Sequence, residues 1–237
     1  MLFKSSVITA FLLFIHTIFG VMPAYNGAGG YIIAPSAEVS THGSLGITAR
    51  YTYNNMLTPA LNFSLVDHIE IGAGWDINFG SGVYNPVLLS AKIKLPFENA
   101  IALGFTAELF KYGDTYANYY SPYGCMQETI KGFDTTLGLG YTFDRQRLQW
   151  GNINFFIGFK KEIIAPYIIL MGDFANFPYK HNRAPALRAI DSSRGIVNLG
   201  VRFLLTEKIA LDVMGLDLMD SNRNISAGMS VLLGLAR

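Results

Sequence analysis

Residues 44–53 constrain the fold more than any other stretch, because apolar and polar side chains alternate there without a break. Leu45, Ile47 and Ala49 fall on one face, and Thr48 and Arg50 fall on the other. A β-strand directs successive side chains to opposite faces, so this period of two predicts a strand with one apolar and one polar surface. A tilted strand needs roughly nine to eleven residues to cross a bilayer, and this stretch is of that length. It therefore predicts a membrane-spanning strand.

The same alternation recurs along the chain in about eleven strand-like runs, and residues 30–34 are a candidate for a twelfth. Residues 163–171 are nearly all apolar and contain Pro166, so their faces cannot be assigned from the pattern. Single-chain bacterial barrels have even strand numbers. We predict one all-β domain, an antiparallel transmembrane β-barrel of about twelve strands within a range of about 10 to 14. The alternative is a secreted soluble β-sandwich, which also has one apolar and one polar face.

The composition of the polar face favours the barrel. Only 15% of the residues are charged, against roughly 25% in a typical soluble domain. The polar positions are mostly small residues, which suit a crowded lumen. The charged residues predicted to line that lumen are Arg50, Glu70, Asp76, Lys92, Lys94, Glu108, Asp134, Arg202 and Asp212. Two interpretations stay open: paired charges that hold the interior together, or a pore lining that selects solutes.

The first 24 residues have the features of an export signal. Lys4 precedes an apolar run over residues 7–19, and small residues follow at 20–24. We predict a signal peptide over residues 1–24 and a barrel over residues 25–237, in the outer membrane of a Gram-negative-type bacterium. The expected partners are the lipid bilayer of that membrane and the barrel-assembly machinery. A net charge of +1 without a basic block argues against nucleic acid.

Two segments without alternation are predicted to be long extracellular loops, residues 111–132 and 174–194. The first holds the only cysteine, Cys125, and several tyrosines that are candidates for contact with sugars or proteins: Tyr116, Tyr119, Tyr120 and Tyr123. Alternatively, this loop folds inward and narrows the lumen.

Catalytic, cofactor and metal sites are not indicated. His42, His68 and His181 fall in predicted turns or loops without a second His or Cys nearby, so no metal is expected. No nucleophile-elbow sequence supports a hydrolase, and we predict that the protein is not an enzyme.

The stretch before the first strand carries a family resemblance. The stretch Gly30-Tyr-Ile-Ile-Ala-Pro35-Ser-Ala-Glu38, followed by Gly43-Ser-Leu-Gly-Ile and Tyr51, resembles the start of YjbH-like outer-membrane β-barrel proteins. The resemblance implies an outer-membrane barrel associated with exopolysaccharide production, with polysaccharide or its export proteins as partners. It supplies no catalytic residues.

Two functional classes follow for a barrel. One is a narrow, porin-like pore or an export-associated barrel linked to exopolysaccharide. The other is a structural or surface-interaction barrel whose lumen is plugged by its own side chains. The soluble β-sandwich would instead be a secreted binding protein.

Overall fold

A computed structural model describes residues 21–53, 55–79, 85–112, 115–144, 152–176, 195–220 and 223–234. In these ranges no helix is long and apolar enough to cross a membrane. The chain is built from strands: β1 (Ser44–Thr52), β2 (Met56–Val66), β3 (Ile69–Trp75), β4 (Ile77–Asn78), β5 (Val87–Lys94), β6 (Ala100–Tyr112), β7 (Thr115–Ile130), β8 (Phe133–Asp144), β9 (Asn152–Ile164), β10 (Ile168–Ala175), β11 (Ile196–Thr206), β12 (Ile209–Leu216) and β13 (Asn224–Gly234).

The strands form one closed antiparallel barrel. Consecutive strands pair with each other, except that β3 rather than the short β4 pairs with β5. β1 pairs with both β2 and β13, which closes the sheet. β3 and β4 both pair with β2 and are separated only by Asp76, so they act as one interrupted strand. The result is a barrel of twelve strands, which confirms the predicted fold class. The soluble sandwich was the wrong alternative, because a sheet closed on itself has no second layer.

The two faces of the wall follow the predicted alternation. In β1, Ile47 and Tyr51 are exposed on the outer surface, whereas Thr48 and Arg50 are buried inside. The outer surface elsewhere also carries large apolar side chains, among them Leu137 and Val213. Inward polarity and outward apolarity are the arrangement that a barrel surrounded by lipid requires.

The strand that the sequence pattern did not predict is β7, whereas the predicted candidate for a twelfth strand was residues 30–34. Residues 111–132 were predicted to be a loop, but β6 and β7 extend through most of them. Alternation fails in β7 because its inward positions include Tyr119 and Tyr123, while Pro122 and Gly124 lie on the outer face. In β7 bulky side chains thus face the lumen and small ones face outward, which partly inverts the pattern of polar inward and apolar outward residues seen in the other strands.

Residues 163–171 also differ from the prediction of one strand. β9 ends at Ile164, a turn over residues 165–167 contains Pro166, and β10 begins at Ile168. Of the second predicted loop, residues 174–175 belong to β10, and residues 177–194 lie outside the described residues.

Residues 21–43, here called the plug, lie inside the barrel except for Thr41 and His42, which are exposed. Ala24, Tyr25, Ile32 and Ala37 in this segment are fully shielded from solvent. The prediction of a strand at residues 30–34 is therefore wrong, because this stretch forms only an isolated bridge between Gly30 and Pro35. The signal peptide over residues 1–24 stays a prediction, since residues 1–20 lie outside the described residues; residues 21–24 lie within the lumen.

Cys125 provides a direct check of β7 and the plug. Its side chain is inward-facing and only 4% exposed, so the purified protein in detergent is expected not to react with a soluble thiol reagent until it is denatured. Thiol labelling followed by mass spectrometry measures this. The matched control is Cys125→Ser combined with Glu98→Cys, which places the thiol in the exposed turn after β5. Rapid labelling of native Cys125 would contradict the inward placement.

Candidate functional site: the plugged lumen

The plug is a compact double turn. The amide of Ala24 donates to the carbonyl of Ala28 at 2.7 Å, and the amide of Tyr25 donates to that of Ile32 at 2.9 Å. Gly27 has a φ of 80°, a left-handed conformation that glycine adopts at little cost. These bonds satisfy only part of the plug's backbone, so the remaining polar groups need partners in the wall.

Wall glycines make room for the plug. A side chain at Gly72 in β3 would overlap the carbonyl oxygen of Gly27, and one at Gly158 in β9 would overlap the ring of Tyr31. These two positions therefore act as recesses for the plug rather than as flexible points of the strands.

Asp173 in β10 is the main acceptor for the plug backbone. One of its carboxylate oxygens accepts three consecutive amides, from Ile32 at 3.0 Å, Ile33 at 2.7 Å and Ala34 at 2.8 Å. The other oxygen accepts from the side-chain amide of Asn198 in β11 at 2.7 Å. Hydrogen bonds between amides and a carboxylate are stronger than those between neutral groups. Asp173 thus fixes the residues 32–34 against the wall.

Lys92 in β5 holds the plug by its carbonyl groups. Its ammonium donates to the carbonyl oxygens of Gly29 at 3.0 Å and Ser36 at 3.1 Å, and also to that of Glu38. Glu70 in β3 lies 3.3 Å from the same ammonium and accepts the amide of Gly29 at 2.7 Å. Both side chains are almost fully buried, and their pairing offsets much of the cost of removing two charges from water.

Arg50 in β1 contacts the first turn of the plug. Its guanidinium donates to the carbonyl of Pro23 and lies 4.9 Å from the centre of the Tyr25 ring. Asp212 in β12 lies 3.7 Å from Arg50 and also accepts two bonds from Arg202, at 2.7 and 3.0 Å. One carboxylate therefore serves two guanidinium groups.

The plug's tyrosines complete the packing against opposite parts of the wall. The hydroxyl of Tyr25 donates to Ser226 in β13, and that of Tyr31 lies 2.7 Å from the hydroxyl of Thr136 in β8. Burial raises the pKa of both tyrosines above the usual value of 10.0, because a phenolate would lose its hydration. Both hydroxyls therefore stay protonated at physiological pH.

A partly exposed ion cluster lies where the plug continues toward β1. Lys160 in β9 is 3.1 Å from Glu38 and 2.9 Å from Asp134 in β8. Farther along, the amide of His42 donates to Asp67, in the two-residue turn between β2 and β3, at 2.8 Å. The amide of Val21 donates to the hydroxyl of Ser40 at 2.7 Å, so the first and last parts of the plug lie side by side.

The nine sequence-predicted lumen residues have different surroundings. Arg50, Glu70 and Lys92 bind the plug directly, while Asp134, Arg202 and Asp212 act through the ion pairs just described. Asp76 accepts a bond from Thr58 at 2.6 Å, Glu108 is buried in β6, and Lys94 is half-buried at the end of β5.

Other contact residues were missed. Lys160 fell between two predicted strand-like runs, which ended at residue 159 and began at residue 163. Asp173 fell between the run over residues 163–171 and the predicted loop over residues 174–194. Tyr25 and Tyr31 lay before the first predicted strand. No local pattern could have shown that these four residues join the plug to the wall inside a barrel.

The loop tyrosines require a correction. Tyr119 and Tyr123 are buried on the inner face of β7, so they are unsuited to extracellular contact. Tyr120 is half-buried on the outer face and stacks with Phe105 at 6.0 Å between ring centres. Tyr116 also belongs to β7, but its side chain lies outside the described residues. Regular pairing of β7 with β6 and β8 overrides the turn-like composition of this stretch.

Metal ligation finds no support in the part of the chain that the structure describes, since no group of three or more His, Cys, Asp or Glu side chains could hold an ion there. The ring of His42 lies 2.6 Å from the carbonyl oxygen of Leu65, which gives it a structural partner. His181 lies outside the described residues.

Comparison with proteins of known structure identifies barrels that share this fold. No protein-family model matches the sequence, and no curated protein matches it. The KdgM porin has a similar structure, with a TM-score of 0.55 and 11% identity over 79% of this chain and 98% of that one. The KdgM porin in complex with disordered oligogalacturonate has a TM-score of 0.53 and 11% identity, over 79% of this chain and 98% of that one. The outer membrane phospholipase A from Escherichia coli has a TM-score of 0.44 and 11% identity, over 82% of this chain and 92% of that one.

The chain therefore has the fold of outer-membrane β-barrels, and the apolar outer face of its wall is of the kind that such barrels present to lipid. Short turns of such barrels face the periplasm. The two-residue turns after β2, β7 and β11 lie at one end of the barrel, here called the short-turn end. Because the amide of His42 is bonded to the turn after β2, the C-terminal end of the plug lies at the short-turn end.

Replacement of Asp173 tests whether it secures the plug. Asp173→Ala leaves three buried amides without their acceptor, which we expect to lower the free energy of local opening by about 3 kcal/mol. Amide hydrogen exchange over residues 32–34, measured by mass spectrometry in micelles, should accelerate about a hundredfold. Glu207→Ala, in the exposed turn after β11, is the control and should exchange like the unaltered protein. Equal protection in both variants would show that Asp173 is dispensable.

Proposed function

We propose that this protein is a solute channel of the outer membrane that rests in a closed state, with residues 21–43 as its plug. The observation that carries the proposal is the burial of the plug within a complete barrel wall. A twelve-stranded barrel lies between 8-stranded barrels, whose side chains fill the interior, and 16-stranded barrels, which leave an aqueous channel. Here a separate segment of chain occupies that space.

The manner of attachment supports a displaceable plug. β1 pairs with β2 and β13 along its whole length, so closure of the barrel does not depend on the plug. The polar contacts of the plug with the wall are made by Asp173, Lys92, Glu70 and Arg50. Its apolar side chains share one buried cluster with inward side chains of the wall, among them Phe156 and Met171. Water can replace the polar contacts, and the wall keeps its own ladder of hydrogen bonds when the plug leaves.

A link to polysaccharide is the finer part of the proposal. The resemblance of residues 30–47 to YjbH-like proteins supports an export-associated role beside exopolysaccharide production. The KdgM porin, whose fold is similar, is known in complex with oligogalacturonate. We expect polysaccharide or its export proteins as partners and the barrel-assembly machinery during insertion. Deletion of the gene and measurement of secreted polysaccharide test this link.

We further propose that the protein is not an enzyme. The charged groups of the described lumen are engaged with one another or with the plug backbone, as for Lys92 with Glu70 and Arg202 with Asp212. Such groups serve attachment rather than acid–base chemistry.

The second candidate is a permanently plugged barrel with a structural or surface-interaction role. Its support is the number of buried polar contacts: Asp173 and Lys92 alone account for six bonds to the plug backbone. The two candidates differ in one property, which is whether removal of the plug creates a conducting path.

Glycine substitutions in the wall separate these candidates. Gly72→Val and Gly158→Val place side chains where Gly27 and Tyr31 of the plug lie, so each should displace the plug without removing a wall hydrogen bond. In planar bilayers we expect the unaltered protein to be mostly closed, and each variant to show steady unitary currents.

Gly124→Val is the matched control, because Gly124 lies on the outer face of β7 and its nearest neighbour is the side chain of Leu103 at 3.3 Å. This variant should remain closed. Circular dichroism verifies that all three variants keep their β-structure. Folded Gly72→Val and Gly158→Val proteins without added conductance would favour the permanently plugged barrel.

A further inference from the structure

Residues 21–24, the last four residues of the predicted signal peptide, are built into the plug. The carbonyl of Met22 accepts the amide of Gly30 at 3.2 Å, and the amide of Ala24 donates to the carbonyl of Ala28 at 2.7 Å. The side chains of Met22 and Ala24 are almost completely shielded from solvent. Removal of residues 21–24 would therefore leave plug hydrogen bonds unmade and leave empty space inside the barrel.

The same four residues also bind the wall through their carbonyl groups. The guanidinium of Arg50 in β1 donates to the carbonyl of Pro23, and the side-chain amide of Asn62 in β2 donates to that of Val21 at 2.9 Å. Arg50 is fully buried, and a buried cation that loses an acceptor costs more than a neutral donor that does so. The plugged barrel therefore needs residues 21–24.

Small residues mark where an export signal can be cleaved, and the stretch over residues 20–24 offers two of them, Gly20 and Ala24. Cleavage after Ala24 would remove the four residues just described. Cleavage after Gly20 keeps all of them and removes the whole apolar run over residues 7–19. Val21 is also half-buried, whereas the residues directly after it are buried, so the buried part of the plug begins just past this bond.

We propose that a signal-removing peptidase hydrolyses the bond between Gly20 and Val21, so that the mature protein begins with Val21 inside the barrel. Water supplies the atoms of the reaction: its hydroxyl adds to the carbonyl carbon of Gly20, which becomes a carboxylate, and its proton goes to the nitrogen of Val21. That nitrogen takes up a further proton from solvent and becomes an α-ammonium. The inference does not depend on the channel function, because it concerns the closed barrel.

The surroundings of Val21 suit an α-ammonium. Its nitrogen lies 2.7 Å from the hydroxyl oxygen of Ser40. A Cβ added at Gly29 would overlap both the side chain of Val21 and the carboxylate of Glu70, so Val21 lies beside that carboxylate. Asn62, which donates to the carbonyl of Val21, has a buried Oδ1 without a hydrogen-bond partner among the described residues. An ammonium adds a positive charge and two N–H donors to this group of acceptors.

The first test is the N-terminus of the full chain, produced in a Gram-negative bacterium and purified from its outer membrane. Intact-mass measurement and N-terminal sequencing should give a chain that begins Val-Met-Pro-Ala, which are residues 21–24. Gly20→Leu removes the small residue before the bond and should yield at least about tenfold less of this mature chain. The matched control, Gly20→Ala, keeps a small residue and should be processed like the unaltered protein. A first residue of Tyr25, or a folded barrel that retains residues 1–20, would overturn the proposal.

The second test asks whether the barrel needs the four retained residues. In a variant lacking residues 21–24, Tyr25 follows Gly20 and becomes the first mature residue. Because the amide of Gly30 then lacks its acceptor, its hydrogen exchange in micelles should accelerate at least about tenfold relative to the unaltered mature protein. The amides of β11 serve as the internal control and should exchange alike in both, and circular dichroism verifies the β-structure. Equal protection of Gly30 in a folded variant would overturn the structural basis of the proposal.

Discussion

The backbone of the plug must find hydrogen-bond partners inside a closed barrel, and the arrangement of the lumen depends on this requirement. Residues 21–43 form neither a helix nor a strand of the wall, so most of their amides and carbonyls lack the regular partners that such elements supply. Charged side chains of the wall take that role. Asp173 accepts three amides, and Lys92 donates to three carbonyls. These two side chains thus supply hydrogen bonds that a neighbouring strand would otherwise supply to the plug backbone.

Those charges can be buried because the wall compensates them. An isolated charge in a dry interior costs several kcal/mol, and a partner with good geometry offsets that cost. Glu70 beside Lys92 and Asp212 between Arg50 and Arg202 meet this condition. Glycines supply the remaining condition, which is space: Gly72 and Gly158 let the plug approach the strands. Both conditions are met in β3, which carries Glu70 and Gly72.

The separation between wall and plug gives the molecule two levels of stability. The wall is a continuous ladder closed by β1 and β13, with its apolar face in lipid. The plug is attached to it by polar contacts and by a buried apolar cluster, and the C-terminal end of the plug lies at the short-turn end of the barrel. Local opening of the plug thus requires less free energy than disruption of the barrel. A segment with these properties suits a closed state that can be released.

The sequence by itself determined the wall: the period of two assigned Arg50, Glu70 and Lys92 to the inner face, and it identified a barrel of about twelve strands. It failed at β7, where Tyr119 and Tyr123 face inward and no alternation shows. It also failed at residues 30–34, whose apolar run looks like a strand. Only the tertiary structure decided that this run lies in the lumen against Asp173. The reason is physical: the direction of a side chain is a local property of the strand, whereas its partner across the lumen depends on closure of the whole sheet.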